Sequence, residues 1–224
     1  TQSRKLELYK LLIINNFFYD KMPLPKVTLP ANILFCGMTG SGKTYCFKKM
    51  YQKWKNEIKL TYVISPTAPY SGDYDGVVDD QYILSDINMA KFKIIEIFEF
   101  CKSQKLKNKN FHVMLVVDDA LGVLNFNEDY FCNILATSRH VNLTVVLMMQ
   151  NLTKYLCPTL RNNLSYIFIN RLSDSNIECL FNLCGCWDNR GQTKVFLRDN
   201  LKDYQTIFID KKDINNPPPL VFKA

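Results

Sequence analysis

Apolar residues along the chain gather into short unbroken runs, and between the runs they recur at helical spacing. The runs fall at 33–36, 60–65, 113–117, 143–149, 164–170 and 206–210. They are short and rich in Val, Ile, Leu and Phe, and they predict six strands. Segments 43–56, 88–107, 127–138 and 173–183 predict the helices between them. A further amphipathic helix is expected over 3–19, with Leu8, Leu11 and Leu12 on one face, and Pro23 and Pro25 break it. Residues 66–80 read as a loop rich in Pro, Gly and Asp, and 215–219 as an extended tail. Strands that are apolar throughout must be covered on both faces. The expected class is therefore α/β, a mostly parallel central sheet flanked by helices. The expected organisation is an N-terminal helix and linker over 1–29, one domain over 30–210 and a tail over 211–224. In such sheets ligands sit at the carboxyl ends of the strands. That singles out residues 37–44, Ser65, Pro66, Asp118, Asp119, Gln150, Asn151 and Arg171.

Composition narrows the picture slightly. The chain has 224 residues, 47% hydrophobic and 22% charged, which suits one folded domain with a sizeable core. No apolar run approaches the roughly 18 residues of a membrane span. Glu7 and Lys10 interrupt the only N-terminal stretch a secretory leader could use. A net charge of +7 permits an anionic partner without naming it. The eight cysteines form no C-x-x-C pair, and several fall in apolar runs, as reduced core residues do. Cys184 and Cys186 with His112 or His140 make a poor zinc set. Asp73, Asp75, Asp79 and Asp80 lack the Glu that closes a calcium loop, since Leu84 stands at that place. Lys102, Lys105, Lys107 and Lys109 could follow DNA phosphates, but such a run is more often a solvated helix end.

The chemistry is concentrated after the first strand. Gly37-Met38-Thr39-Gly40-Ser41-Gly42-Lys43-Thr44 has the form G-x-x-x-x-G-K-[ST], the phosphate-binding P-loop. Its glycines let successive N–H groups turn toward phosphate oxygens. Lys43 reaches the outer phosphates, and the Thr44 hydroxyl is a Mg²⁺ ligand. The flanking pattern, strand before and helix after, is the one this motif requires. Residues 113–117 deliver Asp118 and Asp119 at a strand end, where Asp118 can hold Mg²⁺ and Asp119 can take a proton from water. Gln150 follows the 143–149 strand and can sense the terminal phosphate. Arginines stand only at Arg4, Arg139, Arg161, Arg171, Arg190 and Arg198. Of these, Arg139, Arg161 and Arg171 flank core strands and are candidates for charge stabilisation at a subunit junction.

The P-loop, Asp118-Asp119, Ser138-Arg139-His140, Met148-Met149-Gln150-Asn151 and Asn170-Arg171, in this order over roughly 30–210, resemble the FtsK/HerA-type genome-packaging ATPases of large double-stranded DNA viruses and virophages. That group includes the poxvirus packaging ATPase. The resemblance implies a RecA-like core in which the P-loop strand lies beside the Gln150 strand, with the Asp118 strand beyond. It implies ATP and Mg²⁺ as cofactors, Lys43 and Thr44 on phosphate and metal, Asp119 as base and Gln150 as sensor. Many relatives carry Glu where Asp119 stands. It further implies a homo-oligomeric ring, double-stranded DNA and capsid vertex proteins as partners, and work at assembly sites in the host cytoplasm, with virion association. The competing readings are a small nucleoside or nucleotide kinase, another nucleic-acid translocase and a non-enzymatic switch. No segment gathers the arginines of a kinase lid, and the intact motif residues speak against an inactive site.

Overall fold

In the computed structural model, the residues described are 24–120, 124, 128–152, 157–184, 190–201, 204–212 and 220–223. The helix expected over 3–19 lies outside them. Eight strands form a single sheet: β1 (Asn32–Cys36), β2 (Leu60–Ile64), β3 (Ile83–Leu84), β4 (Val113–Asp118), β5 (Leu143–Met149), β6 (Tyr166–Ile169), β7 (Gln205–Asp210) and β8 (Leu220–Lys223). Their order is β3-β2-β4-β5-β1-β6-β7-β8. The first six run parallel, and β7 and β8 are antiparallel additions at one side. β1 therefore lies between β5 and β6, with β4 beyond β5, the order implied by the resemblance.

The helices are α1 (Lys43–Trp54), α2 (Ala68–Ser71), α3 (Ala90–Lys107), α4 (Asp129–Thr137), α5 (Pro158–Asn163), α6 (Asp174–Cys184) and α7 (Arg190–Asn200). Alternation along β1 divides the core. Leu34 and Cys36 face a layer that includes Ile94 and Ile97 of α3, Phe131 and Leu135 of α4, and Leu197 of α7. Ile33 and Phe35 face α1, where Phe35 stacks on Phe168 at 4.4 Å and meets Phe47 edge-on at 5.9 Å. Because both faces are covered, every residue of β1, β4 and β5 is buried. That is why these strands read as nearly continuous apolar runs, with Asn32, Asp118 and Thr144 as their polar members.

The structure adds elements the pattern did not predict. α5 is six residues with one buried apolar side chain, Leu160, too few for a period to show. α7 carries Gly191 and many polar residues, and it buries Phe196 and Leu197. Leu220–Lys223, expected as part of a tail, pairs antiparallel with β7 as β8. At the amino edge of the sheet, buried Asn32 donates to the carbonyls of Leu135 (2.7 Å) and Asn163 (3.1 Å) and accepts from Ser138 Oγ (2.9 Å). One amide thus pins the ends of α4 and α5 to β1, satisfying polar groups that burial would otherwise penalise.

Candidate active site

The loop after β1 is strung between its neighbours. Gly37 N donates to Met149 O (3.1 Å) and Met38 N to Arg171 O (2.8 Å), so the loop hangs from the ends of β5 and β6. A Cβ at Gly37 would fall 2.5 Å from Ser41 Oγ and 2.9 Å from Asn170 Cβ, so only glycine lets the loop turn this closely. Gly40 and Gly42 take the left-handed φ values +69° and +92°. Helix α1 starts at once, with Gly42 as N-cap and no side-chain acceptor for its first N–H groups. Ser41 Oγ is buried and has no hydrogen-bond partner among the described residues. A helix start with no side-chain cap suits an anion.

Lys43 is only 7% exposed. Its Nζ donates to Met38 O at 3.0 Å, and among the described residues it forms no ion pair. Burial lowers its pKa, while Asp119, Asp118 and Cys36 pull it back up. A buried ammonium held by one carbonyl has donors left for phosphate oxygens.

Asp118 ends β4 and is 5% exposed. Burial pushes its carboxyl up to about 6; Asp119 and Asp73 add to the rise, and the Tyr74 hydrogen bond and Lys43 oppose it. Tyr74 OH donates to Asp118 Oδ2 at 2.7 Å. The chain turns out of the strand at Asp119, which has φ +50°. Asp119 Oδ1 accepts from Gln150 Nε2 at 2.6 Å, and Gln150 Oε1 accepts from Thr39 Oγ1 at 2.7 Å. Gln150 therefore joins the P-loop to Asp119. Its own carbonyl is fixed by Asn176 Nδ2 of α6 at 2.8 Å, and Asn176 Oδ1 accepts from Leu152 N.

These donors fit Mg²⁺. Thr44 lies half-buried in the first turn of α1, and Asp118 supplies a carboxylate whose ionisation burial resists and a cation would restore. Among the described residues no cluster of three or more His, Cys, Asp or Glu could hold a metal alone. His112 is occupied elsewhere: its Nε2 pairs with Thr144 Oγ1 at 2.8 Å, and burial lowers its pKa to about 4. Cys186 lies outside the described residues. Cys36, Cys46 and Cys101 are buried thiols that burial pushes to about 12.

The three candidate arginines separate. Arg171 follows β6 at the carboxyl edge, beside the P-loop. Arg139 precedes β5 and Arg161 precedes β6, both at the amino edge. The seven residues of β5 put Arg139 about 20 Å from its own chain's P-loop. The basic run is partly engaged, with Lys102 on Glu99 (2.7 Å) and Lys105 on Asn142 Oδ1 (2.8 Å). Two residues of the site had no motif to announce them. Tyr74 sits in the Asp-rich 66–80 loop, and Asn176 in the first turns of α6. An aromatic inside a polar loop was no sufficient signal for Tyr74, since Tyr70 of the same loop is exposed while Tyr74 is buried.

A model of the poxvirus A32 protein family matches residues 16–209. The chain belongs to that family. Its domain has the α/β fold the sequence predicts, a mostly parallel sheet with the P-loop after β1. Protein 015R of Frog virus 3 (isolate Goorha) is 26% identical over 140 residues, 62% of this chain and 43% of its own length, so the chain spans less than half of that relative. Among solved structures, the genome packaging NTPase B204 of Sulfolobus turreted icosahedral virus 2, in complex with AMPPCP, has a TM-score of 0.61 at 18% identity, covering 88% of this chain and 100% of B204. The pCW3 conjugation coupling protein TcpA, with ATPγS, has a TM-score of 0.63 at 16% identity, covering 87% of this chain and 60% of TcpA. At these identities the likeness is one of fold. No helix among the described residues is long and apolar enough to cross a membrane.

Proposed function

We propose that this A32-family chain hydrolyses ATP to move double-stranded DNA into a viral capsid, working as a homo-oligomeric ring in the host cytoplasm. The observation that carries the reading is the meeting of the P-loop, Asp118, Asp119 and Gln150 at one edge of the sheet, closed by the Thr39–Gln150–Asp119 hydrogen bonds. The uncapped α1 start and Lys43 hold the phosphates. Thr44 and Asp118 would hold Mg²⁺, which would supply positive charge against the phosphate oxygens. Tyr74 orients Asp118. A water oxygen bonds to the terminal phosphorus as the bridging oxygen departs with ADP, and the water's proton passes to Asp119. Gln150, bonded to both Asp119 and the P-loop, communicates the state of the terminal phosphate to the loop. Arg139 or Arg161 serves the neighbouring subunit's site. The net charge of +7 and the family membership support DNA as the polymer moved and capsid vertex proteins as the dock.

The test is ATP turnover with and without double-stranded DNA. Wild type should release phosphate faster with DNA, and Asp119→Asn should bind ATP yet turn over at least about a hundredfold more slowly. Turnover indifferent to DNA, with phosphoryl transfer to a nucleoside, would replace this reading with the kinase.

A further inference from the structure

A nucleotide whose phosphates lie on the P-loop must extend its nucleoside to one side or the other. Toward β5 and β4 the way is closed by the Thr39–Gln150–Asp119 hydrogen bonds, with the buried Tyr74–Asp118 pair beyond. Toward β6 and β7 a cavity of about 260 Å³ opens beside the loop, lined among others by Met38, Ser41, Arg171, Leu201, Tyr204 and Gln205. Ligand pockets run from roughly 300 to 1,000 Å³, so this one suits a nucleoside rather than a larger group.

Tyr204 is the unusual member. It is 63% exposed, a large ring left in solvent at the mouth of a cavity. Its φ of +63° is a conformation that disfavours any residue with a side chain. The ring nonetheless reaches the P-loop, since a Cβ on Gly42 would lie 3.1 Å from Tyr204 Cδ1. The helix that precedes it in the chain is anchored. Leu201 is buried, and α7 is tied to α6 by Arg198 on Asp174 (2.6 and 3.3 Å) and by Lys194 with Glu178. Arg171 is fixed through its own carbonyl, which accepts from Met38 N at 2.8 Å, and its side chain is exposed at the cavity.

We propose that this cavity is the nucleoside subsite: the base stacks on the Tyr204 ring, and Arg171 places its charge on the ribose-phosphate end of the nucleotide bound by its own subunit. The assignment rests on the P-loop reading above and gives it a direction. Stacking on an aromatic ring recognises the flat face of any base and needs no fixed pattern of edge donors. Arg171 accordingly acts within one subunit, leaving Arg139 and Arg161 as the candidates that act between subunits.

The experiment is calorimetric binding of ATP and of inorganic tripolyphosphate, each with Mg²⁺, to the full chain. Tyr204→Gly keeps the left-handed turn and removes the ring. It should weaken ATP roughly 5- to 150-fold and leave tripolyphosphate unchanged. Tyr204→Phe should bind both ligands like wild type. Arg171→Ala should weaken ATP in a preparation held monomeric by dilution. If Tyr204→Gly leaves ATP affinity intact, or weakens both ligands equally, the subsite is wrong. Lys43→Ala separates the two readings. If it weakens both ligands, the P-loop site stands whatever Tyr204 does. If it weakens neither, the P-loop reading has failed and the subsite falls with it.

Discussion

Asp118 carries its charge at a cost to the fold. Burial raises its carboxyl from 3.8 to about 6, so ionisation is harder in the folded chain than in the unfolded one. The sign follows. This group's contribution to stability is fully present below about pH 4 and is lost as pH rises through about 6, a loss of about 3 kcal/mol at neutral pH. Asp118→Asn keeps an acceptor for Tyr74 OH and removes the charge. Without nucleotide it should raise Tm at pH 7.5 and flatten the change in Tm between pH 4 and 7, while ending Mg²⁺-dependent turnover. An unchanged or lower Tm at pH 7.5 would refute the raised pKa. Tyr74→Phe removes the hydroxyl that orients this carboxylate. The apparent Mg²⁺ affinity in turnover assays should fall several-fold, and equal Mg²⁺ dependence in the two proteins would remove Tyr74 from the site.

Among the elements, the β1–P-loop–α1 unit tolerates least change. Gly37→Ala would press a methyl group against Ser41 Oγ, which can rotate away, and against Asn170 Cβ, which cannot. Overpacking of this kind costs about 1–3 kcal/mol. It would also move the loop from its hydrogen bonds to Met149 and Arg171. The expected result is a folded protein with lower Tm and little nucleotide binding. Gly40→Ala meets no atom within 4 Å and bears only the strain of its positive φ, about 1–2 kcal/mol. If the two variants bind ATP equally well, close packing beneath Gly37 does not set the loop. The same unit shows what the sequence made legible. The motif, its strand and its helix follow from glycine spacing and apolar runs. Asn32, the pin at the other end of β1, looked like an ordinary polar residue before a strand. Its partners come from Leu135, Ser138 and Asn163, more than 100 positions away.

At the scale of the whole molecule, the sheet separates the arginines. Arg139 and Arg161 sit at the amino edge, the end of the sheet opposite their own P-loop, with Arg139 about 20 Å from it, so a role for either in hydrolysis calls for a second subunit. Lys43→Ala subunits keep their arginines, and Arg139→Ala or Arg161→Ala subunits keep their P-loops. Each should be inactive alone, and a mixture should recover part of the turnover. No recovery with either arginine variant, in assembled protein, would end the inter-subunit assignment. DNA binding should weaken by orders of magnitude between about 50 and 200 mM salt if several Lys hold phosphates. A salt-insensitive affinity would argue against backbone contact.

The class of fold and the form of the P-loop were legible in consecutive residues. Strands buried on both faces must be apolar throughout, and a loop that wraps phosphate must place glycine, lysine and threonine at fixed intervals. Both constraints are local, so they are written in consecutive residues. The sequence also placed Asp118, Asp119 and Gln150 at strand ends, where chemistry in a parallel sheet belongs. How these groups meet is a property of the folded chain. That Gln150 bridges Thr39 and Asp119, that Tyr74 reaches Asp118 across 44 positions, and that Arg171 shares the P-loop's edge while Arg139 does not, all follow from strand order and direction. Strand order depends on which apolar faces pack together, a property of pairs of distant segments. Tyr204 is the sharpest case: an exposed tyrosine before a strand carries no signal until the fold of α7 and β7 sets its ring against Gly42.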